Sequence, residues 1–236
     1  MTLHTTTNHS AASFDPSHVP AYDCVFTTAP LTEEYWLSLP KLSLADVVTG
    51  EKPALETAAS LCWTTTSLHI RFWCLDDHVF SPYQDHDDPL YEADVVECFI
   101  DPEGQGNFHY EFNLSPNNIV FDSKIINKNG EPYEFHTEWD AQDLVTSVHE
   151  GGLDDLSMMD NADKNKIASE QSKLLVYDLD IPFAALGTAP SKGQEWRINL
   201  FRIDQDKEGA RAFTAWSPTG EIKFHVPALF GKLQFV

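Results

Sequence analysis

Apolar residues along this chain recur mostly at every second position, in short runs separated by turn residues. That is the period of a β-strand, and it returns often enough to set the fold class. Residues 58–64 and 68–75 flank a Thr-Thr-Ser turn and predict a β-hairpin. In its second arm Leu68, Ile70, Phe72 and Cys74 share one face, and His69, Arg71, Trp73 and Leu75 share the other. Residues 95–101 are β-branched and apolar, and Asp-Pro-Glu-Gly ends them with turn chemistry. Residues 108–115 alternate cleanly: Phe108, Tyr110, Phe112 and Leu114 against His109, Glu111, Asn113 and Ser115. This predicts a strand with one buried and one polar face. Further strands are predicted at 119–126, 144–149, 174–181, 196–203, 212–216 and 232–236. Only residues 182–187, with Pro first and Gly last, suggest a helical turn.

These elements predict an all-β fold: an antiparallel two-sheet β-sandwich with immunoglobulin- or jelly-roll-like layering and one or two short helical turns. Residues 1–20 read as a flexible N-terminal arm and 21–236 as one domain. Residues 150–172 are acidic, polar and Gly-containing, and read as an exposed loop.

Charge narrows the partners. With 37 acidic and 15 basic residues the formal net charge is −22. This argues against nucleic acid or an anionic membrane surface and suits neutral or cationic ligands and divalent cations. No apolar run is long enough to span a bilayer, and residues 1–20 carry no export-signal pattern. Cys24, Cys62, Cys74 and Cys98 form no CxxC pair and read as buried thiols; Cys62 is expected opposite Ile70.

Three features carry candidate chemistry. From residue 72 to 123 there is no Lys or Arg, while Asp and Glu are dense, a composition that could hold Ca²⁺ or simply form a solvated acidic surface. Glu97 sits inside an apolar strand, where a carboxylate needs water, a partner or a ligand. Asn113 is expected beside it and Arg71 as its counter-ion, either in a binding patch or as a structural ion pair. Tyr91, Trp216 and Phe224 stand at loop or strand-end positions, where ring faces can pack on the C–H faces of a sugar while carboxylates, amides and guanidinium groups bind its hydroxyls. Elbow, zincin, phosphate-loop and dinucleotide motifs are absent. Met158 and Met159 lie in the polar loop, a poor context for a haem ligand, and no haem is expected.

The segments YEADVVECFIDP (91–102) and FHYEFNLSP (108–116) resemble the core of family 9-like carbohydrate-binding modules. So do LCW, LHIRF and LDD in the hairpin, and IPF, WRINLFR, WSP and FHVPALFGKL toward the end, in the same order. The resemblance covers residues 36 to 236 and extends to the wider DOMON-like β-sandwiches. It implies sugar binding by a clamp of two aromatic rings, with Tyr91 and Phe224 standing where the family has Trp. It places Glu97 at the family's ligand-binding Glu, and Asn113 and Ser115 where an Arg and an Asn bind hydroxyls. It also implies structural Ca²⁺. The expectation is therefore a non-catalytic module for a mono- or oligosaccharide, with Tyr91, Phe224 and Trp216 stacking on the ring and Glu97, Asn113, Arg71, Ser115 and Arg202 at its hydroxyls. A carbohydrate-active enzyme, as a separate protein, is a possible partner. The alternatives are a DOMON-like haem or redox-partner domain, and an interaction domain whose sugar site has decayed.

Overall fold

A computed structural model describes residues 18–127, 133–152, 154–159, 164 and 172–236. Almost all of the expected N-terminal arm lies outside them, as does most of the expected 150–172 loop.

The strands form two packed layers. One, the site sheet, runs β14 (Gly231–Phe235), β12 (Glu195–Gln205), β6 (Val95–Asp101), β7 (Phe108–Leu114), β8 (Val120–Ile126) and β9 (Glu134–His136). β13 (Arg211–Ala215) extends it from β12, and β3 (Ala45–Asp46) pairs with β13. The other, the back sheet, runs β10 (Val145–Glu150), β11 (Lys173–Pro182), β5 (Ser67–Asp76) and β4 (Thr57–Trp63), with β2 (Leu42–Ser43) on β4. The all-β class expected from the alternation is observed, with one difference in pairing. β1 (Ala21–Phe26) pairs parallel with β14 through Ala21–Cys24, then parallel with β4 through Val25 and Phe26. One strand thus switches sheets and closes an edge of the sandwich. Its short, mixed pattern carries no alternation strong enough to announce it.

The period of two sorts the side chains as the sequence indicates. Leu68, Ile70, Phe72 and Cys74 of β5 meet Val96, Cys98, Ile100, Tyr110, Phe112 and Leu114 of the site sheet in the central core. All four cysteines are buried and free. Cys62 lies opposite His69 rather than Ile70, because the hairpin loop sets a register one residue away from the expected one.

The outer face of the back sheet is covered. A six-residue helix, α1 (Glu33–Ser38), begins at Thr32, whose hydroxyl accepts from the Tyr35 amide, and carries Glu33 and Glu34 in its first turn. It lays Trp36 against Trp73, Leu75, Leu174 and Val176, and Met158 and Met159 join this apolar layer. Asp155 accepts a hydrogen bond from the Trp73 indole at 2.6 Å. Asp155, Met158 and Met159 are therefore buried against the sheet rather than exposed as expected, because the apolar residues here complete the layer that Trp36 starts, while Asp154 and Ser157 stay exposed.

Candidate functional site

The odd-numbered residues of β6, β7 and β12 point away from the core, to the outer face of the site sheet. Registers fix their neighbours. Glu97 lies opposite Asn113 on β7 and Phe201 on β12, and Asn113 lies opposite Phe121 on β8. One step along, Phe99 lies opposite Glu111 and Asn199. Two carboxyls and an amide thus sit together in mid-sheet with aromatic rings on both sides.

The segment before β14 folds over part of this face. Phe224 stacks on Phe201, with centroids 4.1 Å apart and planes 9° from parallel. His225 stacks on Phe99 at 4.9 Å, and its Nδ1 lies 3.0 Å from Nε2 of His109. The Tyr133 hydroxyl donates to the His225 carbonyl at 2.8 Å. What stays open is a cleft of about 520 Å³. Glu97 and Glu111 lie at its base, and Tyr91, Phe121, Phe135, Phe213 and Phe224 form its walls. Tyr91 and Phe135 keep 46% and 52% exposure, so both rings stand at the mouth.

The base of the cleft is buried and polar. Glu97, Glu111 and Asn113 are 2%, 5% and 0% exposed. The Asn113 amide nitrogen donates to Glu111 at 2.9 Å, and Glu111 lies 4.0 Å from Nε2 of His225. Among the described residues, no donor reaches Oε1 of Glu97 or Oδ1 of Asn113. Burial pushes the Glu97 carboxyl far above the usual carboxylate range, and the neighbouring charge of Glu111 adds to it. Burial raises Glu111 to about 7, against the hydrogen bond from Asn113. Burial lowers His225 to about 4, and burial plus the charge of His225 lowers His109 to about 3. At neutral pH the histidines are uncharged and the two carboxyls hold at least one proton between them.

Comparison with known proteins decides the family. The model of the carbohydrate family 9 binding domain-like family matches residues 30–236. The chain belongs to this family. The family comprises non-catalytic carbohydrate-binding modules. A protein of Arthroderma benhamiae, called an extracellular protein, is 27% identical over 199 residues, covering 80% of this chain and 82% of its own. Two solved structures share the fold. A Bacteroides uniformis protein assigned provisionally to carbohydrate binding superposes with a TM-score of 0.67 at 17% identity, covering 93% of this chain and all of that one. A family 9 module from Caldicellulosiruptor kristjanssonii, in complex with glucose, gives 0.59 at 14% identity, covering 92% and 95%.

Within this family 9-like domain, the sequence-expected site residues divide. Tyr91, Glu97 and Phe224 line the cleft, and Asn113 lies beside Glu97 on the neighbouring strand and donates to Glu111. The polar side of β7 is buried rather than solvated, because the 224–225 segment and Tyr133 cover it. The other four lie elsewhere. Arg71 is on the outer face of the opposite sheet, so it is not the counter-ion of Glu97. It donates to Asp178 at 2.6 and 3.0 Å and to Glu33 at 2.6 Å, and lies over Trp36 at 5.1 Å. Arg202 is inward-facing on β12 and joins the two sheets through the Leu75 carbonyl, Thr57, Asp76 and Asp204. Trp216 is in the central core, its ring packed on Gly231 so closely that a Cβ there would fall 2.3 Å from it. Ser115 closes the turn into β8, accepting from the Ile119 amide at 3.2 Å. The sequence reading does not single out Glu111, His225, Phe121 or Phe135. The alternation of β7 places Glu111 on the Asn113 face and His225 stands inside a family-like segment, but no local pattern assigns Phe121 or Phe135 to the cleft.

The acidic stretch is spent locally. Asp94 accepts from the amides of Phe80 and Gln205, and Asp101 from those of Glu103, Gly104 and Gly106. Asp76 binds the His78 amide and Arg202. Among the described residues one metal-sized cluster remains, His86 with Asp122 and Asp140. It offers two carboxylates and an imidazole, short of the six to eight oxygens Ca²⁺ takes, and Asp122 already accepts from the Ala141 amide. These three side chains alone do not make a Ca²⁺ cage. Met158 and Met159 serve as packing under α1.

Proposed function

We propose that the chain binds carbohydrate in the cleft on the outer face of the site sheet. The sugar ring packs against Phe224 and Tyr91, and its hydroxyls donate to Glu97 and Glu111, which Asn113 holds in place. The observation that carries this reading is the buried acceptor Oε1 of Glu97, left without a donor at the base of an aromatic-walled cleft. Such an atom costs about 1–3 kcal/mol unless something supplies a hydrogen bond. The family membership and the glucose complex of the Caldicellulosiruptor relative favour sugar as the supplier. Arg71, Arg202, Trp216 and Ser115 are assigned to the fold in this reading, since each is engaged away from the cleft.

The test is a thermal-shift and calorimetric screen against mono- and oligosaccharides, glucose and cellotriose among them. A sugar at 100 times its Kd adds about 2.7 kcal/mol of apparent stability. Tyr91→Ala combined with Phe224→Ala should remove that shift. A folded double variant that still binds with unchanged affinity would eliminate the aromatic contact from the reading.

A further inference from the structure

Resting on the carbohydrate-binding reading above, we propose that the cleft selects an amino sugar, its protonated amine seated at Glu97 and Glu111 and its ring against the aromatic walls.

The argument starts from what the base of the cleft lacks. Glu97 Oε1 and Asn113 Oδ1 are both acceptors without a donor, and the Asn113 amide nitrogen turns one of its hydrogens to Glu111. Apart from the proton that the two carboxyls share, the base therefore offers the ligand acceptors. A hydroxyl brings a single hydrogen, whereas an ammonium brings three together with a positive charge. The walls agree with this choice. Tyr91, Phe121, Phe135, Phe213 and Phe224 line the cleft, and aromatic faces attract cations.

The groups facing the pair come from every element around it. β7 contributes Glu111 and His109, the covering segment His225 and Lys223, and the turn before β6 Tyr91. β8 and β12 present Phe121 and Ile203, and β13 presents Phe213 with Arg211 lying over its ring at 5.3 Å. The cations Lys223 and Arg211 are exposed at the rim, so positive charge is kept away from the base itself. The two histidines are held neutral by burial. In the free protein a proton offsets the crowding of the two carboxyls, and an incoming ammonium takes its place. Binding then releases a proton to solvent, with no bond to the sugar made or broken.

The experiment is calorimetric titration of the full chain near pH 7, in amine-free buffers of different ionisation enthalpy, with glucosamine, glucose and N-acetylglucosamine. Glucosamine is expected to bind about tenfold tighter than glucose or more. N-acetylglucosamine, which has lost the charge, is expected to bind no tighter than glucose. The glucosamine heat should change with buffer in the sense of proton release, and Glu97→Gln should bring glucosamine down to the level of glucose. Glucose binding as tightly as glucosamine, or N-acetylglucosamine matching it, overturns the amino-sugar inference and leaves sugar binding standing. Absence of binding by all three sugars and by cellotriose overturns both. If Glu97→Gln does not fold, the comparison of ligands on the unaltered protein decides alone.

Discussion

Each sheet buries a charged residue in mid-strand on its outer face, and the two are treated in opposite ways. On the back sheet Arg71 is under α1, and all three of its guanidinium nitrogens donate, to Asp178 twice and to Glu33 once. On the site sheet Glu97 is as deeply buried, yet one oxygen finds no donor and its nearest charged neighbour is another carboxyl. A buried charge with matched partners holds parts of the fold together. A buried carboxyl beside a like group, under an open cleft, stores a cost that a ligand can relieve. Burial alone separates nothing here; the direction of the unfilled atom does.

The largest expected effect is on the closed side. Arg71→Met removes a cation that two carboxylates share and the ion pair that ties Glu33 of α1 to the sheet. The expected loss is about 2–3 kcal/mol, below that of a fully buried pair because Glu33 and Asp178 keep some contact with water. Chemical denaturation measures it. Sugar affinity in the folded fraction should stay the same, and a fall in affinity would place Arg71 back in the binding machinery. The mirror experiment is Glu97→Gln, which should hold or raise stability at pH 8 while weakening binding.

The next effect is a pH dependence. Glu111 has its folded pKa raised to about 7, above its unfolded value. Its contribution to stability is therefore full below about pH 4.5 and is lost as pH rises through 7. His225 and His109, lowered to about 4 and about 3, work in the other direction: their contribution is full above about pH 6.5 and is lost as pH falls. Together they place the stability maximum on the acid side of neutrality. Glu111→Gln keeps the oxygen that accepts from Asn113 and should stabilise the fold at pH 8 by up to about 3 kcal/mol, with little change at pH 5. Denaturation midpoints at the two pH values decide it; an equal shift at both would mean that packing, not the shared proton, dominates.

The two outer faces also differ in how far the sequence discloses them. The alternation in β5 and β7 assigns core and outer faces correctly, because side-chain period is a local property. It could not show what covers the outer faces. α1 is six residues long, too short for a periodic signal, and it reaches Trp73 only through tertiary packing. The sequence suggests Arg71 as the counter-ion of Glu97 because both are mid-strand and opposite in charge. Which sheet each strand joins is a matter of topology, and β5 and β6 are in different sheets. Tyr91, Glu97 and Phe224 are legible as cleft residues through the family pattern. His225 and Phe135 are not, because the fold of the 224–225 segment brings in the first and the pairing of β9 on β8 brings in the second.

The smallest effect tests the rim of the open face. Tyr91 is nearly half exposed and meets Phe121 edge-on at 6.1 Å, so its removal leaves no buried void. Phe224, in contrast, spends one ring face on Phe201 and braces the covering segment. Tyr91→Ala should therefore change the denaturation midpoint little while weakening sugar binding by about 0.5–1.5 kcal/mol, the increment of one aromatic contact. Phe224→Ala should lose both stability and affinity. Calorimetry paired with denaturation on the two single variants separates the roles. If Tyr91→Ala binds as tightly as the unaltered chain, the ligand sits deeper, against Phe224 and the two carboxyls alone, and the mouth of the cleft contributes only access.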